Sequence, residues 1–305
     1  MSSFVRSMSD ELIVKLKKEE LFTKYILPDI KKGKNAVFPA IRGKSIAFYY
    51  KGGGLFTYSN NGFKTHFKYG AIPTKPYKPY ISTDDLKTMS LSNSFFDNYN
   101  EIKDRCWKYA GLEAEYVSDL YGYSGVSSSP IVLLDIEVCF DTSIDENPLE
   151  LQNSDEFEPN KQKGKLDRID ILLYDKESRQ LCFCEAKHFS NKELWAKKGN
   201  KPKVCTQVAR YNQTIAKQHN SILKQYKNYV EKFNDLFGTS LPIPDKLYPK
   251  TGLVFFGFDN NQKDKIEELL IKDGSLDDIK YYKRGTLKGD TRNPSITTLY
   301  KAITK

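Results

Sequence analysis

The chain has 305 residues, 39% apolar and 13% aromatic, with a formal net charge of +9. Five scattered cysteines without CxxC spacing exclude a zinc ribbon and a disulfide scaffold, and three histidines leave no histidine-rich metal site. The first ten residues lack an apolar run and no stretch reaches spanning length, so the expectation is a cytoplasmic protein with no membrane partner.

The length allows one large or two ordinary domains, and 20 Tyr and 18 Phe supply core area that the aliphatic content alone would not. The basic excess fits a polyanionic partner, although surplus lysine on an ordinary surface gives the same value.

In chain order, Leu12, Ile13, Leu16 and Leu21 recur at helical spacing between about Ser9 and Tyr25, with Pro28 ending the run. Residues 45–50, 55–59 and 63–69 read as a small β-meander, joined by turns at 51–54 (Lys-Gly-Gly-Gly) and 60–62 (Asn-Asn-Gly). A connector rich in proline and tyrosine follows at 72–81. It sets a boundary between an N-terminal helix-plus-meander region, 1–80, and a second domain, 81–305. The meander would read DNA, bind a partner or mediate dimerisation.

Helical spacing resumes from about 93 to 121 through Phe96, Tyr99, Ile102, Cys106, Tyr109 and Leu112, continuing across Gly111. Residues 131–140 read as a strand. Residues 141–158 form a loop with seven carboxylates and no Lys or Arg, and Lys161, Lys163, Lys165 and Arg168 reverse its charge. Two apolar strands follow at 166–174 and 181–187, then a long helix at 204–237 closed by Gly238, a strand at 252–258 and an amphipathic helix at 263–271. The tail is ambiguous, with 296–300 read as a strand. The fold class is α/β (α+β): a mixed central sheet flanked by helices, preceded by a small β-rich N-terminal region.

Asp170 stands inside one apolar run, and Glu185 and Lys187 end another, where a buried strand should carry no charge. Residues two apart on a strand share a face, so Glu185 and Lys187 point the same way. Desolvating two carboxylates and an ammonium at adjoining strand ends is costly. A divalent cation relieves that cost. Mg2+, for which Mn2+ would substitute, prefers oxygen ligands and keeps several waters, so one or two carboxylates suffice. Asp170 and Glu185 are the natural pair, with the carbonyl of Ala186 beside them. Lys187 would orient the attacking water or stabilise charge developing on a phosphate.

Asp170 followed by Glu185-Ala-Lys187 on the next strand resembles the PD-(D/E)XK nuclease superfamily, with Ile169 where many members have proline. The restriction-endonuclease-like core of that family runs αβββαβ, the order read here from about residue 93 to 258. Gln207-Val-Ala-Arg-Tyr211 is similar to the QxxxY element of the RecB-like branch, which implies that Gln207 and Tyr211 support the metal site or position DNA. Glu137 resembles the first-strand acid of that branch, a further metal ligand, and Glu115 resembles an acid on the first helix. The resemblance implies a Mg2+-dependent deoxyribonuclease of restriction or antiviral defence. DNA stands ahead of RNA as substrate, and a homo-oligomer or protein partner is left open.

Plainer readings stand beside these. Asp170 alone would be a strand-edge acid bonded to amides, and Glu185 with Lys187 a solvated pair. Asp135 and Glu137 would lie on a polar face, Glu113 competes with Glu115, and Val208, Tyr211 and Ile215 also make a core stripe. After the motif strand, Lys192, Lys197, Lys198, Lys201 and Lys203 surround Trp195. They read as a nucleic-acid clamp, or as a solvated loop with one anchoring ring. At the level of function, the alternatives are a catalytically silent DNA-binding or assembly module and an RNA-directed nuclease.

Overall fold

Ser9 opens the first helix. Its hydroxyl accepts the N–H of Leu12, and α1 (Asp10–Lys18) follows with Leu12, Ile13 and Leu16 buried. The chain then winds through a π-helical turn (Phe22–Ile26) into α2 (Leu27–Ile30). Pro28 therefore lies inside a helical run that continues to Ile30, directly after the π-helical turn, and does not end it. This computed structural model describes residues 4–69, 80–82, 98–140, 168–196, 200–272, 274–285 and 295–305. Lys197, Lys198, the acidic loop at 141–158 and nearly all of the proline-rich connector lie outside the described residues.

The meander is a five-stranded antiparallel sheet in the order β1 (Val37–Ile41), β2 (Ile46–Tyr50), β3 (Gly53–Ser59), β4 (Gly62–His66), β5 (Tyr80–Ser82). β1 was not expected, because its five residues are all buried and show no alternation to mark a strand. β5 straddles the boundary drawn at residue 80. The β2–β3 turn needs its glycine twice over. Gly52 has φ +85, and a Cβ there would lie 2.4 Å from the backbone of Ala114.

The helix expected from 93 to 121 is two. α3 (Tyr99–Lys108) ends before Gly111, which takes an extended conformation and precedes α4 (Leu112–Ser118). Without a side chain, Gly111 weakens the helix where the chain must turn to cover the second sheet.

That second sheet is mixed and six-stranded. Its strands are β6 (Ile131–Cys139), β7 (Arg168–Asp175), β8 (Gln180–His188), β9 (Lys246–Leu247), β10 (Gly252–Phe256) and β11 (Tyr281–Arg284). The order is β11-β10-β8-β7-β6, with β9 also beside β8. β6, β7 and β8 are antiparallel neighbours, whereas β8, β10 and β11 run parallel. Period-two alternation separates the faces. Leu172, Tyr174, Leu181 and Phe183 pack under α5 (Lys203–Phe237), which closes at Gly238 with φ +66. Ile171, Leu173, Cys182 and Cys184 join the opposite cluster.

α6 (Asn260–Ile266) passes into a π-helical turn (Glu267–Ile271). The tail read as a strand is instead α7 (Ile296–Thr304). Ser295 caps it through the N–H of Thr298, and Ile296, Leu299, Tyr300 and Ile303 fall on one helical face, so the 3.6-residue period outweighs the β-branched composition. Among the described residues, no helix is long and apolar enough to cross a membrane.

The N-terminal region does not keep a core of its own. Phe4, Met8 and Leu12 share one apolar cluster with Val132, Phe183 and Tyr226. Asp135, fully buried, accepts from Arg6 Nε at 3.1 Å, Arg42 Nη1 at 2.7 Å and the Tyr226 hydroxyl at 2.9 Å. It is a buried hub tying residues 6 and 42 to the second sheet, and not part of an exposed polar face.

Candidate active site

β7 is paired with β6 down to Arg168, and β8 is paired with β10 out to His188. Between β7 and β8, however, the ladder stops at Ile171↔Cys184. The next opposed residues are Asp170 and Glu185, at the mouth of a fork between two strands that each remain held on their outer edges. A strand N–H left without a ladder partner must find another acceptor. Asp170 Oδ2 supplies it, accepting the N–H of Ala186 at 2.7 Å. The N–H and C=O of one strand residue face the same edge, so the carbonyl of Ala186 opens into the same fork.

Glu185 is 1% exposed and Lys187 5%. Lys187 Nζ lies 2.8 Å from Glu185 Oε1 and 3.0 Å from Glu193 Oε2. Glu185 Oε2 is buried and accepts no hydrogen bond among the described residues. Burial first, then the charges of Glu185 and Glu137, push Asp170 well above the ordinary carboxylate range. Burial pushes Glu185 up to about 7 against the pull of Lys187. Burial alone would lower Lys187, but Glu185, Asp170 and Glu113 outweigh it and hold the ammonium charged.

The supporting residues fall into two groups. Gln207 Nε2 donates to the Tyr211 hydroxyl at 2.8 Å, and that hydroxyl donates to the carbonyl of Arg168, two residues before Asp170. The pair on α5 thus fixes the start of β7 from the core side. Glu137, opposite Asp170 in the β6–β7 register, has φ +51 and binds Arg168 Nη1 through Oε2 at 3.2 Å. Glu115 points elsewhere. Its Oε1 accepts from Trp107 Nε1 at 3.0 Å, and it lines a separate small cavity. Glu113 takes the place expected for Glu115. It accepts from the His188 N–H at 3.2 Å and from the Asn191 amide.

A cavity of about 460 Å3 opens beside Asp170, and its lining includes Glu113, Glu137, His188 and Asn191 together with Tyr109 and Leu112. Of the expected clamp, Lys192, Lys201 and Lys203 are exposed. Trp195 is half-buried, donating to the carbonyl of Phe189 at 2.9 Å, and so packs the loop in place.

Glu193 was not singled out from the sequence, and Glu113 was named only as a competitor of Glu115. Two signals bear on them: the glycine at 111, which resets helical phase so that 113 and not 115 faces the site, and a lone acid among the lysines after the motif strand.

Among the described residues, no three His, Cys, Asp or Glu side chains gather closely enough to hold a metal ion together. Glu137, engaged by Arg168, does not complete a three-acid set with Asp170 and Glu185. The remaining donors still suit Mg2+, which takes one or two carboxylates and keeps its waters. A buried, unbonded carboxylate oxygen facing a second acid is the kind of acceptor such an ion would satisfy. Compared with protein-family models, curated proteins and solved structures, the chain matches none.

Proposed function

We propose that this chain is a metal-dependent nuclease that hydrolyses phosphodiester bonds in DNA, on a restriction-endonuclease-like αβββαβ core formed by α3 and α4, β6, β7, β8, α5 and β10. The observation that carries the reading is the fork: Asp170, Glu185 and Lys187 converge where β7 and β8 part.

Asp170, Glu185 and the carbonyl of Ala186 would hold Mg2+ or Mn2+. The ion would polarise the scissile phosphate and acidify its bound water. Lys187 presents a fixed positive charge beside them, kept protonated by Glu185 and Asp170, and would stabilise the charge that builds on the phosphate oxygens. Gln207 and Tyr211 are positioning residues acting through Arg168. The exposed lysines at 192, 201 and 203 would meet phosphates away from the cleavage point. Restriction of invading DNA in the cytoplasm is the setting that the superfamily resemblance implies.

One observation favours a second reading, a silent nucleic-acid-binding module: Lys187 is already engaged by two carboxylates. Cleavage assays separate the two. Linear, circular and single-stranded DNA and RNA are incubated with and without Mg2+ or Mn2+, beside Lys187→Ala. Metal-dependent cleavage lost in the variant supports the nuclease. Salt-sensitive binding without cleavage in any metal supports the module. Calorimetric titration with Mg2+, weakened in Asp170→Asn, tests the metal site apart from activity.

A further inference from the structure

The described residues expose four large apolar side chains, and three of them fall within six positions. Trp107 is 42% exposed, Tyr109 57% and Leu112 55%. Such a cluster on a basic protein is a recognition surface more often than an accident of patterning. Tyr109 and Leu112 line the same cavity as Asp170, Glu137 and Glu113, so these two form part of the rim of the candidate active site, with Trp107 just outside its lining.

The rim combines flat rings with cations. At the rim, Lys68 Nζ stands over the Tyr109 ring, 5.3 Å from its centre; beside the rim, Lys51, which lines the smaller cavity with Glu115, stands over the Trp107 ring at 3.6 Å. The Trp107 indole is fixed at its edge by the bond to Glu115. Lys108, between the two rings in sequence, is exposed.

We propose that this rim is a stacking platform for an unpaired nucleotide, and that the cavity takes a single strand or a strand frayed from a duplex. The proposal rests on the nuclease reading of the cavity. A nucleotide has a flat π-face and an adjoining anionic phosphate, and the rim offers the exposed Tyr109 ring with the Lys68 ammonium over one of its faces. A base inside a duplex has both faces covered by its neighbours, so Tyr109 would find nothing to stack on. The exposed Lys108, between the rings in sequence, adds positive charge beside the rim, and a nucleic-acid strand brings a phosphate for every base.

The test uses the full chain in EDTA, so that binding is read without cleavage. Anisotropy of labelled oligo(dT), oligo(U) and a blunt duplex is measured for the wild type, Tyr109→Ala, Tyr109→Phe and Leu112→Ala. The expected result is preference for the single strands. Tyr109→Ala should weaken single-strand binding by about tenfold or more, Tyr109→Phe should retain it, and duplex binding should be unchanged. A 5-iodouracil oligonucleotide should crosslink to the peptide carrying Tyr109.

Equal loss on single and double strands, no single-strand preference, or a crosslink confined to other peptides overturns the platform. So does a Tyr109→Ala variant that loses self-association in sedimentation but not DNA binding, which would make the rim a protein interface. Absence of cleavage in every metal overturns the nuclease reading alone, because binding and crosslinking decide the platform by themselves.

Discussion

Asp170 and Glu185 oppose each other one step past the last paired rung of β7 and β8, Ile171↔Cys184. The backbone hydrogen bond that the next rung would have made is replaced by a side-chain bond, from the Ala186 N–H to Asp170. The sheet is opened by its own charged residues, and every expectation about the site follows from what fills that opening.

Removing Lys187 should cost both activity and stability. Lys187→Met leaves Glu185 buried with no cation, and breaking a buried pair costs about 3–5 kcal/mol. The double variant Glu185→Gln/Lys187→Met should be more stable than Lys187→Met alone, because no uncompensated charge remains. Urea unfolding of the wild type, both single variants and the double variant reads this. Equal stability of Lys187→Met and the double variant would mean that the charge pair does not govern the site.

Metal-free stability should fall as pH rises. Burial pushes Glu185 up to about 7 in the folded chain, above the ordinary carboxylate range, so between that range and 7 the folded state holds more protons than the unfolded state. Raised Asp170 acts in the same direction. Thermal melts without metal should show Tm dropping from pH 5 to pH 7.5, with a smaller drop in Glu185→Gln. Added Mg2+ should raise Tm more at the higher pH, because the ion displaces the proton the pair would otherwise carry.

Tyr211→Phe should remain folded and lose the hydroxyl bonds to Gln207 and to the Arg168 carbonyl. The expected cost in unfolding free energy is about 1 kcal/mol. If the pair serves the site, cleavage falls further than that loss of stability explains, with kcat reduced and DNA affinity retained.

Glu113 and Glu115 give a direct contrast. Glu113→Gln removes a carboxylate that bears on Glu185 and Lys187, and it should depress cleavage and shift its pH profile to lower pH as the local negative charge falls. Glu115→Gln, on the far side of α4 and bonded to Trp107, should leave the pH profile in place.

Asp135→Ala should be among the most damaging single changes, by about 3–5 kcal/mol, since it removes the carboxylate shared by two buried guanidinium groups. Limited proteolysis should then cut within the N-terminal residues that Arg6 ties down. A variant as stable as the wild type would show that the N-terminal region docks by apolar contacts alone.

The charged residues that matter were visible in the sequence because they broke the apolar patterns of their strands. Asp170, Glu185 and Lys187 stand out for that reason alone. Gln207 and Tyr211 were visible as helical neighbours, although their target, the Arg168 carbonyl, was not. Glu113 was hidden by helical phase. A break of a few residues at Gly111 rotates every later side chain, and nothing local to Glu113 or Glu115 says which one faces the sheet. Asp135 was hidden by distance, since its partners lie at positions 6, 42 and 226.

Alternation and helical period, both local properties of the chain, set the three antiparallel strands, the long helix and the shared face of Glu185 and Lys187. Only the tertiary structure decided that β7 and β8 part at Ile171, that Glu137 turns to Arg168, and that the first forty or so residues complete the core of the second sheet. Those features depend on contacts between residues far apart in sequence, whose energies no local pattern encodes.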